Sequence, residues 1–163
     1  MNELASLIIE RATLHGVRIA VAESLTGGQV CAALVDVPGA SAVLRGGVVA
    51  YDLDIKSELL GVDSFLVHSQ GAVNAEVAAQ MAEGALSRLG ADLAVSTTGV
   101  AGPDPDPVDG QAPGVAFVAV AGLGLGTLVR ELHLEGNRGE IRESCTKAAL
   151  QGLWDALGMR DEL

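Results

Sequence analysis

With 163 residues, 49% of them apolar, the chain is long enough for one domain with a full core. It has only one Trp, one Tyr and two Phe, so that core must be built from Ala, Val, Leu and Ile. A net charge of −11 with no cluster of Lys or Arg excludes electrostatic binding to nucleic acid or to anionic lipid, which needs a basic footprint.

The chain opens on Met1-Asn2-Glu3-Leu4, without the basic start and long apolar core of a signal peptide, and no apolar stretch approaches bilayer length. A soluble cytoplasmic protein with no membrane partner is expected. Leu4, Leu7, Ile8 and Leu14 give Asn2 to Leu14 one apolar helix face, stopped by His15-Gly16. Val17 to Ala22 reads as a buried strand, and Thr26 to Val35 as a helix rich in small apolar residues. Pro38-Gly39 turns the chain into a second strand, Val43 to Tyr51, followed by a short helix from Leu53 to Leu60 that ends at Gly61.

Asn74 is placed as an N-cap for a helix presenting Val77, Met81, Ala85 and Leu89. Strands are expected over Asp92–Thr98, Val115–Val120 and Thr127–Leu134. Asn137 then caps a final helix with the stripe Ile141, Cys145, Ala149, Leu153 and Leu157. Alternating helices and strands predict a single α/β domain over residues 1–163, a three-layer α/β/α sandwich with about five strands. The last two strands are joined only by Ala121 to Gly126, too short for a parallel crossover. That pair should be antiparallel and the sheet mixed, though mostly parallel. The one long irregular stretch, Gly99 to Pro113, follows a strand end, where open α/β sheets place their ligands.

The segment Ala22-Glu23-Ser24-Leu25-Thr26-Gly27-Gly28 carries the most chemistry. A strand end feeding a helix through two glycines puts Ser24, Thr26 and free backbone N–H groups at one mouth. Such a mouth suits a phosphate or a developing oxyanion, and the glycines let a ligand approach the backbone. Ordinary capping by Ser24 or Thr26 accounts for the same residues, and the segment alone does not separate the two. Lysine is scarce: Lys56 and Lys147 stand against eight arginines. Lys56 follows Tyr51, the only tyrosine, where a strand gives way to a helix, so both can face one cleft. A lysine beside a serine serves as a general base when burial or a cationic neighbour lowers its pKa, Arg45 being the candidate neighbour. Taken by themselves, an exposed helix lysine and a half-buried tyrosine are the commoner explanation of the pair.

His15, His68 and His133 assemble no triad; they read as a helix end, a polar loop and a strand exit. Asp104, Asp106 and Asp109 read as a solvated acidic loop rather than a metal cage. Glu23 and Asp36 flank the first site with polar roles at a strand end and a helix end. Cys31 and Cys145 lack metal-ligand spacing and read as buried free thiols.

Six motifs occur in order: Ala22 to Gly28 (AESLTGG), Asp36 to Ser41 (DVPGAS), Gly47 to Tyr51 (GVVAY) with Lys56, Leu60 to Val62, Gly71 to Val73, and Thr98 to Asp104 (TGVAGPD). Together they resemble the CinA C-terminal domain family, over about residues 5–158. The resemblance implies a three-layer α/β/α fold with a mixed sheet. It also implies a nicotinamide-nucleotide amidohydrolase that converts nicotinamide mononucleotide to nicotinate mononucleotide and ammonia by a Ser/Lys mechanism, without a metal or other cofactor. Carried over, Ser24 is the nucleophile, with Lys56 and Tyr51 as its catalytic partners. Thr26, Gly27, Gly28, Thr98, Gly99 and Gly102 line the substrate cleft, and Arg138 or Arg142 neutralises the 5′-phosphate.

The partner implied is thus a small-molecule nucleotide, and association into a homo-oligomer, a dimer, is expected because family members associate. Leu25 stands where the family often has Cys, and Asn74 where it often has Ser. The run Pro103-Asp104-Pro105-Asp106-Pro107-Val108-Asp109 replaces the commoner Gly-rich acidic loop. The N-terminal domain of longer relatives, with its pyrophosphatase activity, is expected to be absent. The reading kept beside the enzyme is a non-catalytic nucleotide-binding regulatory module, which would not require Ser24 and Lys56 together.

Overall fold

The structure, a computed structural model, describes residues 2–160. Its elements in chain order begin with α1 (Asn2–His15), β1 (Ile19–Glu23), α2 (Gln29–Val35), β2 (Leu44–Val49) and α3 (Leu53–Leu60). They continue with α4 (Ser64–Gln70), α5 (Ala75–Arg88), β3 (Leu93–Gly99), β4 (Val115–Gly122), β5 (Thr127–His133) and α6 (Arg138–Arg160). The five strands form one sheet in the order β2-β1-β3-β4-β5.

β1 is parallel to both β2 and β3, and β4 is antiparallel to both β3 and β5. Only β4 therefore runs against the other four strands, and the sheet is mixed but mostly parallel, as expected. Side-chain alternation along the strands divides the core. Ile19, Val21, Leu93, Val95, Val118 and Val120 face α1, α2 and α6. Ala20, Ala22 and Ala94 face α3, α4 and α5, and Ala119 and Ala121 continue that face against α5. All five residues of β1 are buried, because the strand is covered by helices on both sides.

Several boundaries and faces depart from the expectation. α2 starts at Gln29 rather than Thr26, because Gly27 (φ 58°) and Gly28 (φ 99°) adopt left-handed backbone that no α-helix contains. The buried face of α1 is Ala5, Ile8, Ile9 and Ala12, while Leu7 and Leu14 stand exposed. A helix not anticipated, α4, occupies residues 64–70 and is capped by Asp63, whose side chain accepts the Leu66 N–H. His68 thus lies on a helix and not in a loop. Its Nε2 sits 3.1 Å from Asp54.

The two expected asparagine caps are in place: Asn74 accepts the Val77 N–H, and Asn137 accepts those of Gly139 and Glu140. Cys31 and Cys145 are free, and the Cys145 thiol is pushed up to about 12 by burial, with the charge of Glu23 adding to it. Among the described residues, no helix is long and apolar enough to cross a membrane.

This topology fixes where a ligand can sit. After β1 the chain leaves toward α2 on one face of the sheet; after the neighbouring β2 it leaves toward α3 on the other. The crevice opened between the carboxyl ends of such strands is the usual ligand position in open α/β sheets. Ser24 follows β1 and Lys56 follows β2.

Candidate functional site

Ser24 begins the turn that joins β1 to α2. Its N–H donates to the Thr97 carbonyl at 3.0 Å, continuing the β1–β3 ladder by one residue, and the side chain is left 7% exposed. Lys56 enters from the second turn-forming element, α3, whose N-cap Asp52 accepts the Asp54 N–H. The Lys56 side chain is 1% exposed, the largest fully buried side chain in the molecule's described part. Its Nζ lies 3.0 Å from Ser24 Oγ, 2.8 Å from the Ala50 carbonyl and 3.0 Å from the Tyr51 carbonyl.

Burial lowers the Lys56 pKa to about 8, against the opposing pull of Asp52 and Asp106. As the ammonium, Lys56 donates to all three oxygens, Ser24 Oγ among them. As the neutral amine it keeps two N–H groups for the carbonyls and has a lone pair for the Ser24 hydroxyl proton.

The turn that carries Ser24 is held from several sides. The buried Glu23 carboxylate accepts the N–H groups of Val30 and Cys31 at 2.9 and 3.0 Å. It serves as the cap that Gly28, at the N-cap position, cannot supply. Thr26 Oγ1 and Thr97 Oγ1 are 2.7 Å apart, and Thr97 Oγ1 lies 3.4 Å from the Ser24 N–H donor. Arg142, on the first turns of α6, donates from Nε to the Leu25 carbonyl at 2.8 Å and from Nη2 to the Thr26 carbonyl at 3.1 Å.

Beside this turn lies a cleft of about 320 Å³ lined by Tyr51, Arg138 and the loop from Gly99 to Pro107. Arg138 closes one wall, with Nη1 donating to the Gly102 carbonyl at 2.6 Å and Nη2 to the Tyr51 hydroxyl at 3.1 Å. The loop beyond is folded on Asp106, whose carboxylate accepts the N–H groups of Val108 and Asp109. Burial raises the Asp109 pKa above the ordinary carboxylate value.

Of the residues expected at the site, Ser24, Lys56, Thr26, Gly27 and Gly28 come together. Tyr51, Gly99, Gly102 and Arg138 meet at the adjoining cleft. Three have different contacts from those expected. The Tyr51 side chain is 61% exposed and its hydroxyl meets Arg138; it is the Tyr51 main-chain carbonyl that holds Lys56. Thr98 donates to the Ala72 carbonyl at 2.7 Å, on the α5 side of the sheet. Arg142 grips the backbone of the Ser24 turn and is not among the residues that line the cleft. Thr97 and the buried cap role of Glu23 were missed. Strand alternation was the available signal for Thr97, since it must face opposite to Thr98. Among the described residues, no three His, Cys, Asp or Glu side chains gather closely enough to hold a metal ion.

The comparisons with known proteins bear on the family and the fold. The model of the CinA C-terminal domain family matches residues 1–157. A CinA-like protein of Frankia casuarinae is 42% identical over 149 residues, covering 91% of this chain and 34% of that protein. A CinA-like protein of Mycobacterium marinum is 47% identical over 140 residues, with 86% and 33% covered. The chain thus spans about a third of the length of these curated relatives.

Among solved structures, the competence/damage inducible protein CihA of Agrobacterium tumefaciens superposes with a TM-score of 0.89 at 37% identity, over 96% of this chain and 94% of that one. A CinA superfamily protein of Escherichia coli gives 0.90 at 28% identity, over 94% and 88%. On a family match over nearly its whole length, and on relatives this similar, the chain belongs to the CinA C-terminal domain family.

Proposed function

We propose that this chain is a nicotinamide-nucleotide amidohydrolase, hydrolysing the carboxamide of nicotinamide mononucleotide to nicotinate mononucleotide and ammonia. The observation that carries the reading is the buried Lys56 amine, 3.0 Å from Ser24 Oγ and held in place by two backbone carbonyls. Ser24 Oγ attacks the carboxamide carbon while Lys56 takes the hydroxyl proton. Backbone amides of the turn after Ser24 receive the oxyanion; the Gly27 N–H is already bonded to the Ser24 carbonyl at 3.0 Å, which leaves those of Leu25 and Thr26 as the donors.

Lys56 then returns the proton to the departing nitrogen, the C–N bond breaks and ammonia leaves. Water, deprotonated by the same amine, opens the acyl-serine ester to the free acid and restores Ser24. Arg138, at the wall of the cleft, is the residue for the 5′-phosphate, and the Gly99–Gly102 backbone shapes the nucleotide's seat.

The test is ammonia release from nicotinamide mononucleotide by Ser24→Ala and Lys56→Ala. Each should lose about 10³-fold or more in kcat, as loss of a nucleophile or its base does. Near-parental turnover by either variant overturns the assignment. A parent that binds the nucleotide in a calorimeter yet releases no ammonia would establish the non-catalytic binding module instead.

A further inference from the structure

We infer that Arg142 is a positioning residue that builds the oxyanion-binding backbone beside Ser24, and not a phosphate ligand; the inference rests on Ser24 being the nucleophile. In a planar trans peptide, the carbonyl and the following N–H point in opposite directions, so fixing one fixes the other. Three successive carbonyls of the turn are held. Ser24 O accepts the Gly27 N–H at 3.0 Å, Leu25 O accepts Arg142 Nε at 2.8 Å, and Thr26 O accepts Arg142 Nη2 at 3.1 Å and the Gln29 N–H at 3.2 Å. The amides whose direction these bonds set are those of Leu25, Thr26 and Gly27. The last is used internally, and the first two follow the nucleophile directly.

Charge adds to direction. A guanidinium on the Leu25 carbonyl polarises that peptide and strengthens its N–H, on Thr26, as a donor to a developing negative charge. The protein makes room for this grip. Gly27 takes φ 58°, and a Cβ there would lie 3.2 Å from Arg142 Nη2. On the other side, the Thr146 hydroxyl lies 2.9 Å from the Arg142 carbonyl and 3.0 Å from Gln29 Oε1, tying the root of Arg142 to the start of α2. Arg138, one turn earlier, lines the cleft, so the two arginines divide the work: one meets the ligand, the other shapes the backbone that meets it.

The test separates this role from phosphate binding by using a serine-directed fluorophosphonate, which carries no nucleotide phosphate. It reacts by forming an Oγ–P bond at Ser24 and expelling fluoride, with the hydroxyl proton going to Lys56, and its transition state places negative charge on the phosphonyl oxygen. Arg142→Ala should label about tenfold or more slowly than the parent, a loss on the scale of a weakened oxyanion donor. Arg142→Lys, which keeps the charge but loses the two-pronged geometry, should fall between them. With nicotinamide mononucleotide the loss in Arg142→Ala should lie in kcat, with KM changed less than about threefold.

Equal labelling of the parent and a folded Arg142→Ala overturns the inference, as does a defect confined to KM for the nucleotide. If Arg142→Ala does not fold, labelling of Arg142→Lys at the parental rate overturns it equally. A parent that never labels at Ser24 removes the nucleophile assignment itself and this inference with it. Because the probe is not a nucleotide, failure of the positioning role and failure of the proposed substrate are read separately.

Discussion

The two ends of the sheet handle polar groups in opposite ways. At the carboxyl ends of β1 and β3, and on the helices packed there, lie all the buried polar side chains of the described residues: Glu23, Ser24, Thr26, Lys56, Ser96, Thr97, Thr98 and Thr146. Their hydrogen bonds run to backbone or to one another, except that Thr146 also meets the Gln29 side chain, and the one cation among them has no carboxylate as a hydrogen-bond partner. At the amino end, charge stays in water. Arg18 and Asp92 form a two-pronged ion pair at 3.0 Å, with side chains 53% and 36% exposed, and the Asp92 carboxyl is held below its ordinary range by that guanidinium. A polar group is costly to bury, and the concentration of such burial at one end is what marks that end as the candidate site.

The sharpest way to test this contrast is through pH. With Lys56 lowered to about 8, the proposed general base is mostly protonated at pH 7. Activity should therefore climb with pH and level off above pH 9, and at pH 6 it should stand about 100-fold below the plateau. A profile flat from pH 6 to 9 would remove Lys56 as the base. Stability follows the same titration. The folded pKa lies below the unfolded one, so the unfolded state holds the extra proton between about 8 and 10.5, and stability rises through that window. The parent should gain roughly 3 kcal/mol relative to Lys56→Met between pH 7 and pH 10.5, read by denaturant titration at both values.

A smaller effect is expected from Glu23→Ala. It leaves the amides of Val30 and Cys31 without an acceptor at a buried helix start, at a cost of about 2 kcal/mol by urea denaturation. Glu23→Gln, which keeps one acceptor oxygen, should recover part of the loss. The smallest effect belongs to the other end of the sheet: Arg18→Ala should leave kcat and KM unchanged and shift Tm least of the set. A large loss of activity there would show that the two ends are coupled and would dissolve the contrast.

Much of this arrangement was legible from residue patterns, and the rest was hidden for physical reasons. The caps Asn74 and Asn137, the stripe of α6 and the antiparallel last hairpin rest on local chemistry, and all are present in the structure. The α1 face was misread because leucines drew attention, whereas close packing against the sheet selected Ala5 and Ala12 alongside Ile8 and Ile9. Helix α4 escaped because only Val67 of its seven residues is buried, which leaves no stripe to detect. At the site, the pairing of Ser24 with Lys56 came from the ordered motifs, since 32 residues of chain separation carry no local signal. That Thr97, and not Thr98, meets Thr26 depends on a one-residue register, Glu23 opposite Thr97, that only strand pairing defines. The Tyr51 hydroxyl was expected near the lysine; its carbonyl is there instead, a difference set by how β2 ends.

The lone reversed strand, β4, has a further consequence. Because it starts where β3 stops, the stretch between them leaves from and returns to the same end of the sheet, with no crossover helix to accommodate. Residues 100–114 are thus a detachable awning over the mouth, anchored at both eaves by bonds from the Val100 N–H to the Val115 carbonyl and from the Gly114 N–H to the Val100 carbonyl. Residues added or removed there would leave the register of β3 against β4 unaltered, so the awning can change shape without disturbing the sheet that carries Ser24.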